Sequence, residues 1–344
     1  HIIYLSTAGS PYNLDAMEVH ISRDIVLIGG ERPGQEAMVT IDAQASAARP
    51  SRAFRIDGGS TVELQYLHVT GAWMPRWSQP GGGGISNAGI LSMSHCRVER
   101  CHAYVGGGVS TTGTLTMNDV YVGSNTAGML AGALFAASGV TVTHSTQFEN
   151  NTAYTGGAIY VLSELHMYDT TLNSNRGIWE AGAVHNIFRT YLEGCTVEDN
   201  YSGDYGGGIQ NSGQNAHLTL IDTIFARNVA ESFGGGLFNT QGGNNMTTLV
   251  DGHNVTFRAN RAPQGAGIHN TGTLKLNQTS VEYNNATGSV SGFSGAGLYN
   301  IGEAAFLGYC KLFDNHASGL GRTIYNGGRV AFMLSSSGPI VDVV

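Results

Sequence analysis

The chain has 344 residues, of which 50 are glycine and 7 proline, with 12% charged side chains and a net charge of −8. An acidic balance without a basic stretch excludes a nucleic-acid partner, which needs clustered Lys and Arg. Glycine without a G-X-Y period excludes collagen, and no apolar run approaches the ~20 residues of a transmembrane segment.

The chain opens on His1, as a processed secreted chain or a piece of a longer one would. Residues 1–81 read as irregular first coils. Their strands are HIIYL (1–5), IVLIGG (25–30), VTIDA (39–43), FRIDGG (54–59) and VELQYLHVTG (62–71). A long loop follows, GAWMPRWSQPGGGG (71–84), and carries Trp73 and Trp77.

From residue 82 to 328 one phrase keeps returning. GGGISN (82–87) is followed by GGGVST (106–111), AGALFA (131–136), GGAIYV (156–161), AGAVHN (181–186) and GGGIQN (206–211). Then come GGGLFN (234–239), GAGIHN (265–270), GAGLYN (295–300) and RTIYN (322–326). Between them recur FENN (148–151), LNSN (172–175), VEDN (197–200), FARN (225–228) and FRAN (257–260). Short alternating runs such as LTM (115–117) and LKL (274–276) join the two phrases, as strands with one buried face do. Residues 329–344 add a strand-like tail.

A unit of about 25 residues cannot bury its own apolar face, but stacked copies can. The chain is therefore expected to be all-β, a single right-handed parallel β-helix over 1–344. About twelve coils of three short strands each would advance one strand spacing per coil, ~4.8 Å. Stacked positions must then be chemically alike. Asn186, Asn211, Asn239, Asn270 and Asn300 form one expected ladder. Asn125, Asn175, Asn200, Asn228, Asn260, Asn284 and Asn315 form another, with Asn tolerating the left-handed bend. Cys96, Cys195 and Cys310 share a third column, too far apart for disulfides and expected as buried thiols. The pairing of Cys96 with Cys101 stays open, although five extended residues separate them.

Candidate chemistry is sparse. The richest neighbourhood for polysaccharide cleavage is Glu180, His185, Arg189, Asp199 and Asp204, because a hydrolase needs paired carboxylates on one face. His185 and Asp199 fall on different strands of one coil and are expected to point apart, and acidic residues are not expected to stack in adjacent coils. No cofactor or metal motif stands out, although Glu198, Asp199 and Asp204 leave room for an incidental Ca²⁺. An ice-binding array needs outward threonines. Thr114, Thr116, Thr141 and Thr143 begin one, which His166, Tyr191 and Lys275 break. Trp73, Trp77 and Trp179 are candidates for stacking on sugars or a partner. Sequons occur at Asn150, Asn200, Asn245, Asn254, Asn277 and Asn285, with the loop sites Asn245 and Asn285 the most suitable for N-glycosylation.

The phrases GGAI (156–159), AGAL (131–134) and AGAV (181–184), with FENN, FARN and FRAN, resemble the repeats of the chlamydial polymorphic membrane proteins. More broadly they are similar to right-handed β-helix proteins of the pectate-lyase-like superfamily. The first resemblance implies a surface adhesin, and those proteins end in a membrane barrel that SSSGPIVDVV does not match. The expectation is an extracellular or cell-surface structural or adhesive protein, non-catalytic, stacking head to tail with itself or meeting surface glycans or proteins. The alternatives are a polysaccharide-active lyase or hydrolase, or a carbohydrate-binding module.

Overall fold

The computed structural model describes residues 1–74, 81–241, 247–288, 294–317, 323–332 and 341–343. The chain is a parallel β-solenoid of about 12 turns with four sheets and almost no helix. It divides into two compact units, His1–His166 and Met167–Val344, each described by itself.

One turn of the second unit shows the plan. Arg189–Glu193 lies in sheet one, Thr196–Glu198 in sheet two, Tyr201–Ser202 in sheet three and Ile209–Ser212 in sheet four. Successive turns stack in parallel register, with Val197 on Phe225 and Ile209 on Leu237. The first unit repeats the plan, with Ile85 on Val109 and Val98 on Val122.

Four strands per turn correct the expected three. The additional strands, such as Val229–Ala230 and Arg261–Ala262, are two residues long in much of the second unit. They turn one small residue inward each, Ser202, Ala230, Ala262 or Ala286, all buried. A two-residue strand with an alanine inside has no alternation to recognise.

From Thr61 to Asn300 each turn uses left-handed residues at three corners, such as Gly194, Asp199 and Gly206. At the corner after sheet two these are Ser174, Asp199, Arg227, Ala259 and Tyr283, each just before a ladder asparagine. The ladder asparagines themselves do not take the bend, contrary to expectation. They point inward and are buried. Asn200 shows why. Its backbone N–H and its Nδ2 both donate to Asn228 Oδ1, at 3.1 and 2.9 Å, and Nδ2 also donates to the Leu172 carbonyl at 2.9 Å. The same pattern runs from Asn228 to Asn260, Asn284 and Asn315. In the first unit Asn125 donates to Asn151, a member the sequence columns omitted, and Cys101 N–H donates to Asn125. The other ladder, Asn186 to Asn211, Asn239, Asn270 and Asn300, is linked at 2.7–2.8 Å.

The corner before sheet four is the glycine corner. Gly234 has φ 65°, and a Cβ there would meet the Leu237 carbonyl. Ala131 and Ala181 hold the same conformation at φ 58° and 54°.

The core is the expected alternation, with one exception. Thr141 and Thr143 face inward, stacked on Leu115 and Met117 and fully buried, so they belong to no outward threonine array. All four cysteines are buried free thiols. Cys195 Sγ lies 3.4 Å from the Glu193 carbonyl, where Thr170 and Thr223 in the same column bond their own residue-minus-two carbonyls. Burial pushes the Cys96 and Cys195 thiols up to about 11 and Cys101 to about 12.

Candidate functional site

Sheet four carries an outward-facing middle column that is nonetheless covered. In the second unit it runs His185, Gln210, Phe238, His269 and Tyr299. His185, Gln210, Phe238 and His269 are buried. The cover comes from the chain leaving sheet three, where Tyr205, Phe233 and Gln264 pair across turns. The two columns meet as a seam.

At one end the seam is polar. Glu180 closes the strand Arg176–Glu180, and His185 begins its contact one corner later. Glu180 Oε2 and His185 Nδ1 lie 4.0 Å apart. His185 Nε2 is 2.7 Å from Ser212 Oγ. Burial pushes the His185 imidazole down to about 3, so it is neutral at pH 7. Burial also raises Glu180, against a hydrogen bond from Gln210, and the Asp204 charge raises it further. Both shifts favour the uncharged forms, so this pair is not an ion pair at neutral pH.

The turn 203–205 brings Asp204 beside Glu180. Ser202 Oγ donates toward the carbonyls of Trp179 (3.1 Å) and Tyr205 (2.7 Å), and Asp204 N–H donates to Ser202 Oγ. Ala181 N–H donates to the Tyr205 carbonyl. A Cβ on Gly203 would meet the Ile178 carbonyl, so only glycine lets the turn lie this close. Two acidic residues from adjacent turns thus influence one another, although they are not partners in the strand register. Trp179 stands 48% exposed beside them.

The other end of the seam is aromatic. Tyr205 stacks on Phe238 at 5.0 Å, Phe233 on His269 at 4.8 Å, His269 on Tyr299 at 4.6 Å and Tyr299 on Tyr325 at 4.7 Å. Burial pushes His269 down to about 3 as well.

The remaining candidates lie apart. Asp199 accepts two bonds from Arg227, at 2.8 and 2.7 Å, and Arg227 also bonds Glu198 at 2.7 Å. Asp199 therefore does not join His185. The trio Glu198, Asp199 and Asp204 is divided, because the first two face Arg227 while Asp204 acts on Glu180 and Tyr205. Among the described residues no three His, Cys, Asp or Glu converge as a metal site. Trp73 is stacked on His102 at 4.0 Å and its backbone bonds Ser51 in both directions, so its ring is already partnered. Trp77 and the sequon Asn245 lie outside the described residues. Asn254 and Asn285 are exposed and Asn277 is half-buried. Asn200 is buried in the ladder and closed to glycosylation.

Sequence reasoning missed Gln210, Ser212 and Tyr205. Their one signal was position: Gln210 occupies the same slot of its phrase as His185, between the apolar residue and the ladder Asn.

No protein-family model matches the chain, and no curated protein matches it. Solved structures that align with it include the catalytic domain of a GH87 alpha-1,3-glucanase in complex with nigerose. A variant of that domain with tetrasaccharides aligns equally. Each shows 12% identity and a TM-score of 0.39 over 99% of this chain. The chain spans 63% of the length of either. Likeness of this size carries nothing about the reaction of this chain.

Proposed function

We propose that this protein acts on polysaccharide, as a hydrolase working at Glu180 and Asp204. One observation carries the proposal: the turn holding Asp204 is bonded against the end of the Glu180 strand through Ala181 N–H and the Tyr205 carbonyl, and there burial, with the Asp204 charge, pushes Glu180 toward its protonated form. Glycoside hydrolysis needs that division of labour, an acid to protonate the leaving oxygen and a carboxylate for the opposite face. Glu180 is the acid, pushed toward its protonated form by burial and by the Asp204 charge, against the Gln210 hydrogen bond. Asp204 is the carboxylate. Neutral His185 adds no competing cation. Exposed Trp179 offers a ring face for a sugar.

The test is release of reducing ends from a panel of α- and β-linked glucans, galactans and uronans. Glu180→Gln is expected to lower the rate about a hundredfold or more, and Asp204→Asn likewise, with unchanged near-ultraviolet circular dichroism. Absence of cleavage across the panel, or full activity in Glu180→Gln, sinks the proposal.

A second proposal is the structural one: an adhesive surface protein, extracellular, whose copies stack end to end. It is favoured by the recess of about 410 Å³ in the first turns, lined by Ile3, Leu5, Leu14, Val19, Ile21 and Ile25. Ile3, which lines it, is 44% exposed. Concentration-dependent oligomers in sedimentation velocity, dissolved by Ile3→Lys, support stacking. A monomer at every concentration overturns it.

A further inference from the structure

Glu180 meets more than Asp204. Two neighbouring strands of sheet four, Val184–Asn186 and Ile209–Ser212, bring His185, Gln210 and Ser212 to the same end of the seam. His185 is 5% exposed, and Gln210 stands on it in register. Each ring nitrogen of His185 faces a different group. Nε2 lies 2.7 Å from Ser212 Oγ, and Nδ1 lies 4.0 Å from Glu180 Oε2. Ser212 closes its strand half-buried, where the imidazole beside it is covered. The ring therefore spans the distance from a partly open hydroxyl to the carboxyl group. Asp204 and Tyr205 face the same place from the turn 203–205, where the Asp204 charge acts on both Glu180 and Tyr205.

A neutral imidazole carries one N–H, on either nitrogen, and the bond at one nitrogen decides the state of the other. A hydroxyl both donates and accepts, so Ser212 suits either tautomer. Glu180 does not. As a carboxylate it favours N–H on Nδ1, and as an acid it donates and favours a bare Nδ1. Burial keeps the ring itself uncharged, with its pKa pushed down to about 3.

We infer that His185 and Ser212 form a proton relay that returns a proton to Glu180. The inference rests on Glu180 being the acid that protonates the leaving group. After that step Glu180 is a carboxylate facing Nδ1–H. Ser212 passes its hydroxyl proton to Nε2 and takes another from water. The Nδ1 proton moves to Glu180. One proton has entered, the carboxylate has become an acid, and the imidazole is neutral as its other tautomer. The 4.0 Å gap closes to a bond at this step, as contacts between catalytic groups that stand long in an empty site do.

The experiment is nitrogen NMR of the histidine side chains in the isotopically labelled whole chain, titrated between pH 8 and 4, with His185→Phe assigning the signals. Phe238 occupies the same column, so that variant is expected to fold. The parent should show Nδ1–H at high pH and pass to Nε2–H as Glu180 takes its proton, without becoming a cation. In Glu180→Gln one tautomer should persist across the range. A single tautomer at every pH in the parent overturns the inference, and so does an equal switch in Glu180→Gln. Where a polysaccharide is cleaved, Ser212→Ala should lower kcat about tenfold with KM unchanged, and an unchanged kcat overturns the relay. If nothing on the panel is cleaved while the switch occurs and Glu180→Gln abolishes it, the hydrolysis reading fails alone and the proton link from Ser212 to Glu180 stands.

Discussion

The asparagine ladder inside the second unit and the seam outside sheet four are built alike. Each places one residue per turn directly above the last. Yet the ladder repeats a single residue from Asn175 to Asn315, while the seam passes from His185 through Gln210 and Phe238 to His269 and Tyr299. The difference lies in how a position depends on its neighbour. In the ladder each amide oxygen takes two donors from the turn before, so one foreign side chain orphans buried groups in two turns. In the seam neighbours are held by ring contact and burial, which tolerate exchange. Variation therefore collects in the seam, and with it the Glu180 carboxyl, which burial and the Asp204 charge push toward protonation.

The comparison breaks first at Asn228. Asn228→Ala removes the acceptor of two Asn200 donors and a donor to the Val197 carbonyl. A loss of about 4 kcal/mol is expected in urea unfolding. A loss below about 1 kcal/mol would mean the ladder only fills space.

Acid should act on the seam next. His185 and His269 sit near 3 when folded and near their ordinary 6.5 when unfolded. The unfolded chain therefore binds more protons between those values, and stability falls as pH drops from about 6.5 toward 3. Glu180, shifted upward, opposes this as it takes its proton in the folded state. His269→Phe keeps a ring in the stack and should flatten the fall in Tm between pH 7 and 4. An unchanged slope would place the acid sensitivity elsewhere.

The smallest effect is expected at Cys195. Its sulfur meets a carbonyl two residues back in its own turn, as the hydroxyls of Thr170 and Thr223 do. Cys195→Thr should stay within about 1 kcal/mol of the parent in the same unfolding assay. A larger loss would show that this column, too, depends on identity between turns.

The solenoid was legible because its repeat is a spacing. Within each unit the apolar residue of each phrase falls in a stacked column, from Ile85 to Ile159 and from Val184 to Ile324, and the buried strands follow the alternation. Sheet three was not legible, since Ala230 or Ala262 alone inside a two-residue strand leaves no pattern. Thr141 and Thr143 were misplaced because a one-residue error in register turns every side chain to the opposite face. The left-handed bend was assigned to the ladder Asn, and the structure moves it one residue earlier, to Asp199 and Arg227. Among the candidate acids, Asp199 and Asp204 look equivalent in the sequence. Arg227, 28 residues beyond Asp199, claims one, and the Ser202-held turn carries the other to Glu180.

By itself the sequence determined what repeats: a parallel coil, its corners, its dry core and its amide ladders, because those follow from local spacing and from like residues stacking. The tertiary structure alone decided which singular residues meet. Glu180 with Asp204, and Asp199 with Arg227, depend on which turn lies above which and how each corner is cut. A repeat leaves those contacts open, because insertions of a few residues between turns change the partner without changing the pattern.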